Sequence, residues 1–148
     1  HAPAVVLLLF TLLLEIAGAD PNVHRTAYSF RNRLAESNVP LICYGDYFQS
    51  VNFYSGRRAV VANDPGEQTF GSRLAGAEGW FWDELRMRDF IASGSPALVV
   101  MKSHTFLESF QHTPQVQLID RSAPLVLASI NGGVNRTRGE TGMGREAP

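Results

Sequence analysis

The residues in this chain able to do chemistry are few and lie far apart. Asp46 and Asp64 each follow a short apolar run, 41–44 and 59–62. Open α/β sheets hold their ligands at the carboxyl ends of such strands, but each aspartate also suits a plain role, as helix cap or turn former. To act as an acid–base pair they would have to meet in space. Arg57 and Arg58 stand just beyond an aromatic cluster of Tyr44, Tyr47, Phe48, Phe53 and Tyr54. A guanidinium grips phosphate through a planar fork, and aromatic rings favour membrane interfaces; a solvated basic turn beside core aromatics is the alternative. Cys43 sits inside an apolar run with no basic neighbour to lower its pKa, which makes it a core residue rather than a nucleophile. His1, His24, His104 and His112 fit no metal-ligand spacing. Gly56 stands alone, so 55–58 lacks the glycine pattern of a phosphate loop. Asn135-Arg136-Thr137 matches a glycosylation sequon in a segment with no structural periodicity. No complete catalytic constellation emerges.

Composition narrows the partners. The chain has 148 residues, 45% hydrophobic and 18% charged, which fits one globular domain. Thirteen Lys plus Arg against fourteen Asp plus Glu give a net charge of −1, leaving no basic field to hold a nucleic-acid backbone. One cysteine excludes an internal disulfide and a cysteine-based zinc site.

Residues 2–14 carry no charge and are almost wholly apolar. At ~1.5 Å per helical residue they cover about 20 Å, short of the ~30 Å hydrocarbon core. Three readings stand: part of a transmembrane helix, a signal-peptide apolar region before the small residues Ala17-Gly18-Ala19, or a buried core helix. The first two place everything after Asp20 outside the cytoplasm.

The elements that must position the candidates follow from patterning. Residues 22–37 read as a basic helix with Val23, Ala27, Phe30 and Leu34 on one stripe. A buried strand at 41–44 leads through Gly45-Asp46 into a short helix through Tyr47, Val51 and Tyr54, capped by Asp46 and stopped by Gly56. A second strand covers 59–62 and ends in the turn 63–66. A short helix is expected at 69–74, and Trp80 to Asp83 is expected to open a helix running to about 92. The strand at 97–101 precedes a helix at 103–110, with Phe106, Leu107 and Phe110 inward. Two strands, 116–119 and 125–130, are expected to join as a hairpin at 120–122. Strands alternating with helices imply an α/β fold: a small, mostly parallel sheet, helices on both faces, a terminal β-hairpin, and a preceding apolar helix. The expected divisions are 1–19 for a truncated transmembrane helix, 20–38 for a connecting amphipathic helix, 39–131 for the α/β domain and 132–148 for a disordered tail.

Leu41-Ile-Cys-Tyr-Gly-Asp-Tyr-Phe, Phe53-Tyr54, Gly56-Arg57, the valine-rich strand after it, and Gly66-Glu67 with Phe70-Gly71 form a recognisable series. It resembles the C-terminal soluble domain of GT-C lipid-linked-sugar glycosyltransferases, the group of the aminoarabinose transferase and the dolichyl-phosphate-mannose protein mannosyltransferases. The resemblance covers about 40–131 and consists of packing residues rather than chemistry. It implies a polytopic inner-membrane parent moving a sugar from a polyprenyl-phosphate donor to an extracytoplasmic acceptor. The family's acidic catalytic residue lies in a loop near the protein's N-terminus, so this segment would carry no catalytic residue and no cofactor; whether the parent needs a metal is left open. Its partners would be the lipid bilayer and the polyprenyl-linked sugar. Tyr44, Asp46, Tyr47, Arg57 and Arg58 are the residues placed towards donor lipid. The competing reading is a secreted or periplasmic α/β binding module with a signal peptide.

Overall fold

A computed structural model describes residues 21–63 and 75–132. The chain begins there with α1 (Pro21–Glu36), then β1 (Leu41–Tyr44), α2 (Gln49–Ser55), β2 (Val60–Ala62) and β3 (Phe81–Trp82). Next come α3 (Glu84–Ala92), β4 (Ala97–Lys102), α4 (Ser103–Ser109), β5 (Val116–Ser122) and β6 (Leu125–Ile130). The strands form one mixed sheet in the order β3-β2-β1-β4-β6-β5. β3, β2, β1 and β4 are parallel neighbours, while β6 runs antiparallel to both β4 and β5.

Alternate side chains of the central strands enter two separate cores. Leu41, Cys43, Leu98 and Val100 pack with Ala27, Phe30 and Leu34 of α1 and Val51 of α2. Ile42, Tyr44, Val99 and Met101 pack with Met87 of α3, with Phe106 of α4 and with Phe110 at its C-terminal end. Parallel strands covered on both faces have no polar side, which is why 41–44 and 97–101 read as unbroken apolar runs. The α1 stripe is wholly buried at Ala27, Phe30 and Leu34. Through this stripe the helix packs against the sheet as a layer.

Several expectations differ in detail. Phe81 and Trp82 form an edge strand paired with Val61 and Ala62, not the first turn of a helix. The helix starts one residue after Asp83, whose side chain accepts from the Arg86 N–H as its N-cap. Two bulky aromatics with part-buried faces suit a short edge strand, and the helical spacing of Met87, Phe90 and Ile91 begins only beyond them. Residues 120–122 continue β5, and the hairpin turns at Ala123-Pro124 through a cis peptide bond. The polar run belongs to an outer strand with a register shift between Leu118 and Asp120; polar residues on an exposed edge imitate a turn in sequence. Leu107 is exposed rather than inward. The helix expected at 69–74, the division 1–19, all but the first residue of the division 132–148, and Asp64 lie outside the described residues. Among the described residues no helix is long and apolar enough to cross a membrane.

Candidate functional site

From β1 the chain passes to β2 through α2 on one face, whereas from β3 it passes to β4 through α3 on the other. β1 and β4 are adjacent, so the connections diverge between them at their carboxyl ends, the place where open α/β sheets take ligands. Asp46, two residues beyond β1, meets Lys102, the last residue of β4, there. Lys102 Nζ lies 2.9 Å from Asp46 Oδ2, with both side chains about two-fifths exposed. The other carboxylate oxygen accepts from the Tyr47 N–H at 2.8 Å. Asp46 is therefore not the cap of α2, whose N-cap position is Phe48 without a side-chain bond. Gly45 makes the turn possible. Its φ of +76° disfavours any side chain, and the Thr105 methyl sits 3.6 Å from where a Cβ would project.

Tyr44 turns to the α3 side of the sheet. Its hydroxyl donates to Glu84 Oε2 at 2.6 Å and accepts from Asn63 Nδ2 at 3.0 Å. Glu84 Oε1 in turn accepts from Arg88 Nε at 2.9 Å. Burial, followed by the neighbouring Glu84 carboxylate, pushes the Tyr44 hydroxyl up to about 12. At neutral pH this tyrosine is a fixed proton donor tying β1, β2 and α3 together, not a base. Beside it a groove of about 490 Å³ runs between α3 and the α4–β5 turn, bordered by Glu84, Arg88, Phe110, Thr113 and Gln115.

Tyr47 and Arg58 come together elsewhere, in a cleft of about 50 Å³ with Asn52 and Trp80. Asn52 Nδ2 donates to the Tyr47 hydroxyl, and Asn52 Oδ1 accepts from the Ala59 N–H. The Arg58 guanidinium stacks 3.9 Å from the Trp80 ring centre, a cation–π contact that keeps its charge at the surface. Arg57 points away from both groups. Its guanidinium donates to the carbonyls of Leu34, at 3.1 Å, and of Ser37 and Val39. The two adjacent arginines thus do not form one cationic site. Arg57 closes the end of α1 onto the entry to β1, at the opposite edge of the sheet from Asp46.

Sequence reasoning missed Lys102, Glu84 and Asn63. A lysine closing an apolar strand carries a signal, because strand ends build crevices; Glu84 and Asn63 carry none, since their roles depend on Tyr44 reaching them from another strand. Cys43 is fully buried, and its thiol is raised to about 12 by desolvation, opposed by a backbone hydrogen bond at Phe48 and assisted by Asp46. That thiol is unreactive. Among the described residues no three His, Cys, Asp or Glu side chains gather as metal ligands.

No protein-family model matches the chain, and no curated protein sequence does. Solved structures do match. A crystal structure of ArnT from Cupriavidus metallidurans bound to undecaprenyl phosphate aligns with a TM-score of 0.64 and 17% identity over 76% of this chain. The apo state of the same protein aligns with a TM-score of 0.63 and 16% identity over 77%. The chain shares its fold with part of ArnT. It spans about a fifth of that protein's length, 21% in each case. ArnT is a GT-C aminoarabinose transferase, so the resemblance carried by the 41–62 motif is met at the level of fold. The Gly66-Glu67 and Phe70-Gly71 part of that motif lies outside the described residues.

Proposed function

We propose that this chain is an extracytoplasmic α/β segment of an inner-membrane glycosyltransferase that takes its sugar from a polyprenyl-phosphate donor. The segment covers or shapes a site embedded in the membrane, and the catalytic residues lie elsewhere in the parent protein. The observation that carries this reading is the fold shared with ArnT, one of whose structures is bound to undecaprenyl phosphate. The uncharged run 2–14 supports it as part of a membrane span preceding α1.

On the donor side we place Asp46 and Tyr47 at the carboxyl end of β1, with Tyr44 beneath them fixing the edge of the sheet. Arg57 serves the same surface indirectly, by holding α1 against the strands.

Two measurements test the reading. Sequencing the gene upstream of His1 should reveal many apolar spans with acidic residues in the first outward loop; a short basic leader starting at a nearby Met would make the chain a small exported module instead. The 148-residue chain alone should transfer no sugar from a polyprenyl-phosphate donor, and measurable transfer would overturn the assignment of catalysis to the missing regions.

A further inference from the structure

The path of α1 orients the domain. Its first turns lie at the carboxyl edge of the parallel strands: Thr26 Oγ1 donates to the carbonyl of Ala123 at 3.0 Å, in the hairpin turn that also receives the Ser103 N–H from the start of α4 through Pro124. Its last turn lies at the amino edge, where Arg57 binds the carbonyls of Leu34, Ser37 and Val39. α1 therefore begins at the carboxyl edge, the edge that carries the Asp46–Lys102 pair.

Only residues 15–20 separate α1 from the uncharged run 2–14. Six residues reach at most about 20 Å, whereas the sixteen residues of α1 place the amino edge about 24 Å further along its axis. We infer that the carboxyl edge of the sheet is the face turned to the bilayer headgroups, and that Lys102 is the cation it presents to lipid phosphate. This rests on the membrane reading above and adds to it an orientation and a contact residue. The ion pair does not forbid the contact. An exposed pair of this kind is worth under ~1 kcal/mol, so a phosphate can replace the Asp46 carboxylate as the partner of Lys102.

The test uses the full 148-residue chain on vesicles of phosphatidylcholine with phosphatidylglycerol. The environment-sensitive dye NBD is attached at one of three exposed positions: His104→Cys at the carboxyl edge, Asn38→Cys at the amino edge, or Phe53→Cys on the outer face of the α1–α2 layer. Cys43 is buried with a raised pKa and takes no label in the folded protein. With chain sedimenting on vesicles, the His104 probe should show a blue shift and several-fold brightening, and the Asn38 and Phe53 probes should stay wet. A dry Phe53 probe with a wet His104 probe would lay the helical layer on the membrane and overturn the orientation, as would a dry Asn38 probe or three wet ones. A His104 shift that appears without vesicles and grows with protein concentration would mark a second copy at this edge, and would also overturn it. Chain that does not sediment with vesicles at all would instead sink the membrane reading itself. Lys102→Gln should weaken vesicle binding about fivefold when anionic lipid is present and leave neutral vesicles unaffected; an unchanged affinity for the anionic vesicles, or an equal loss on both kinds, removes Lys102 from the contact.

Discussion

The two edges of the sheet are built on different terms. At the amino edge Arg57 gives its guanidinium to three backbone carbonyls at the end of α1 and the entry to β1. At the carboxyl edge, around the end of β1, polar side chains bond to one another: Asp46 to Lys102, Tyr44 to Glu84 and Asn63, and Glu84 to Arg88. Backbone carbonyls cannot leave, so the first set is a structural closure. Side chains can exchange partners, so the second set can meet a ligand with little loss of fold. An anion at one edge would have to displace the frame itself, while at the other it displaces a half-exposed ion pair.

That contrast predicts a graded series of effects. Arg57→Ala should cost the most, about 3 kcal/mol in urea denaturation, because three carbonyls lose a charged donor at once. Arg57→Lys should restore only part of this, since a single ammonium cannot reproduce the fork. If Arg57→Ala were neutral, the amino edge would be no more rigid than the other. Tyr44→Phe comes next, at roughly 1–2 kcal/mol, by removing one hydroxyl and leaving Glu84 and Asn63 to water. An unchanged unfolding midpoint would show that the carboxyl edge is not tied by this link.

Alkaline pH probes the buried groups between the edges. Cys43 and Tyr44 are both raised to about 12 from ordinary values of 9.0 and 10.0, so the folded state holds their protons more tightly than the unfolded chain. The stability this provides is complete below about pH 9 and is lost as the pH rises towards 12. Stability measured from pH 8 to 12 should fall across that window, and Tyr44→Phe should flatten its upper part; an identical slope in the variant would separate Tyr44 from the effect. The smallest change belongs to the Asp46–Lys102 pair. Asp46→Asn should shift stability by less than ~1 kcal/mol, and raised salt should shrink even that. A loss as large as that of Arg57→Ala would make the two edges alike and end the distinction.

Patterning alone carried the main elements. The 41–44 and 97–101 runs, the α1 stripe of Ala27, Phe30 and Leu34, and the Gly56 stop all express local rules: burial of both strand faces, helical spacing, and the left-handed φ of +63° that Gly56 adopts. These signals lie within a few residues of one another, so the sequence determined them by itself. The tertiary structure decided everything that depends on neighbours distant in the chain. Phe81-Trp82 became a strand because β2 offered an edge, and residues 120–122 stayed extended because β6 paired with them. Arg57 and Arg58, adjacent in sequence, were sent to different tasks by carbonyls about twenty residues earlier and by a tryptophan twenty-two residues later. Asp46 found Lys102, and Tyr44 found Glu84, across gaps that no spacing rule reaches, because side-chain partners are chosen by sheet order and not by distance along the chain.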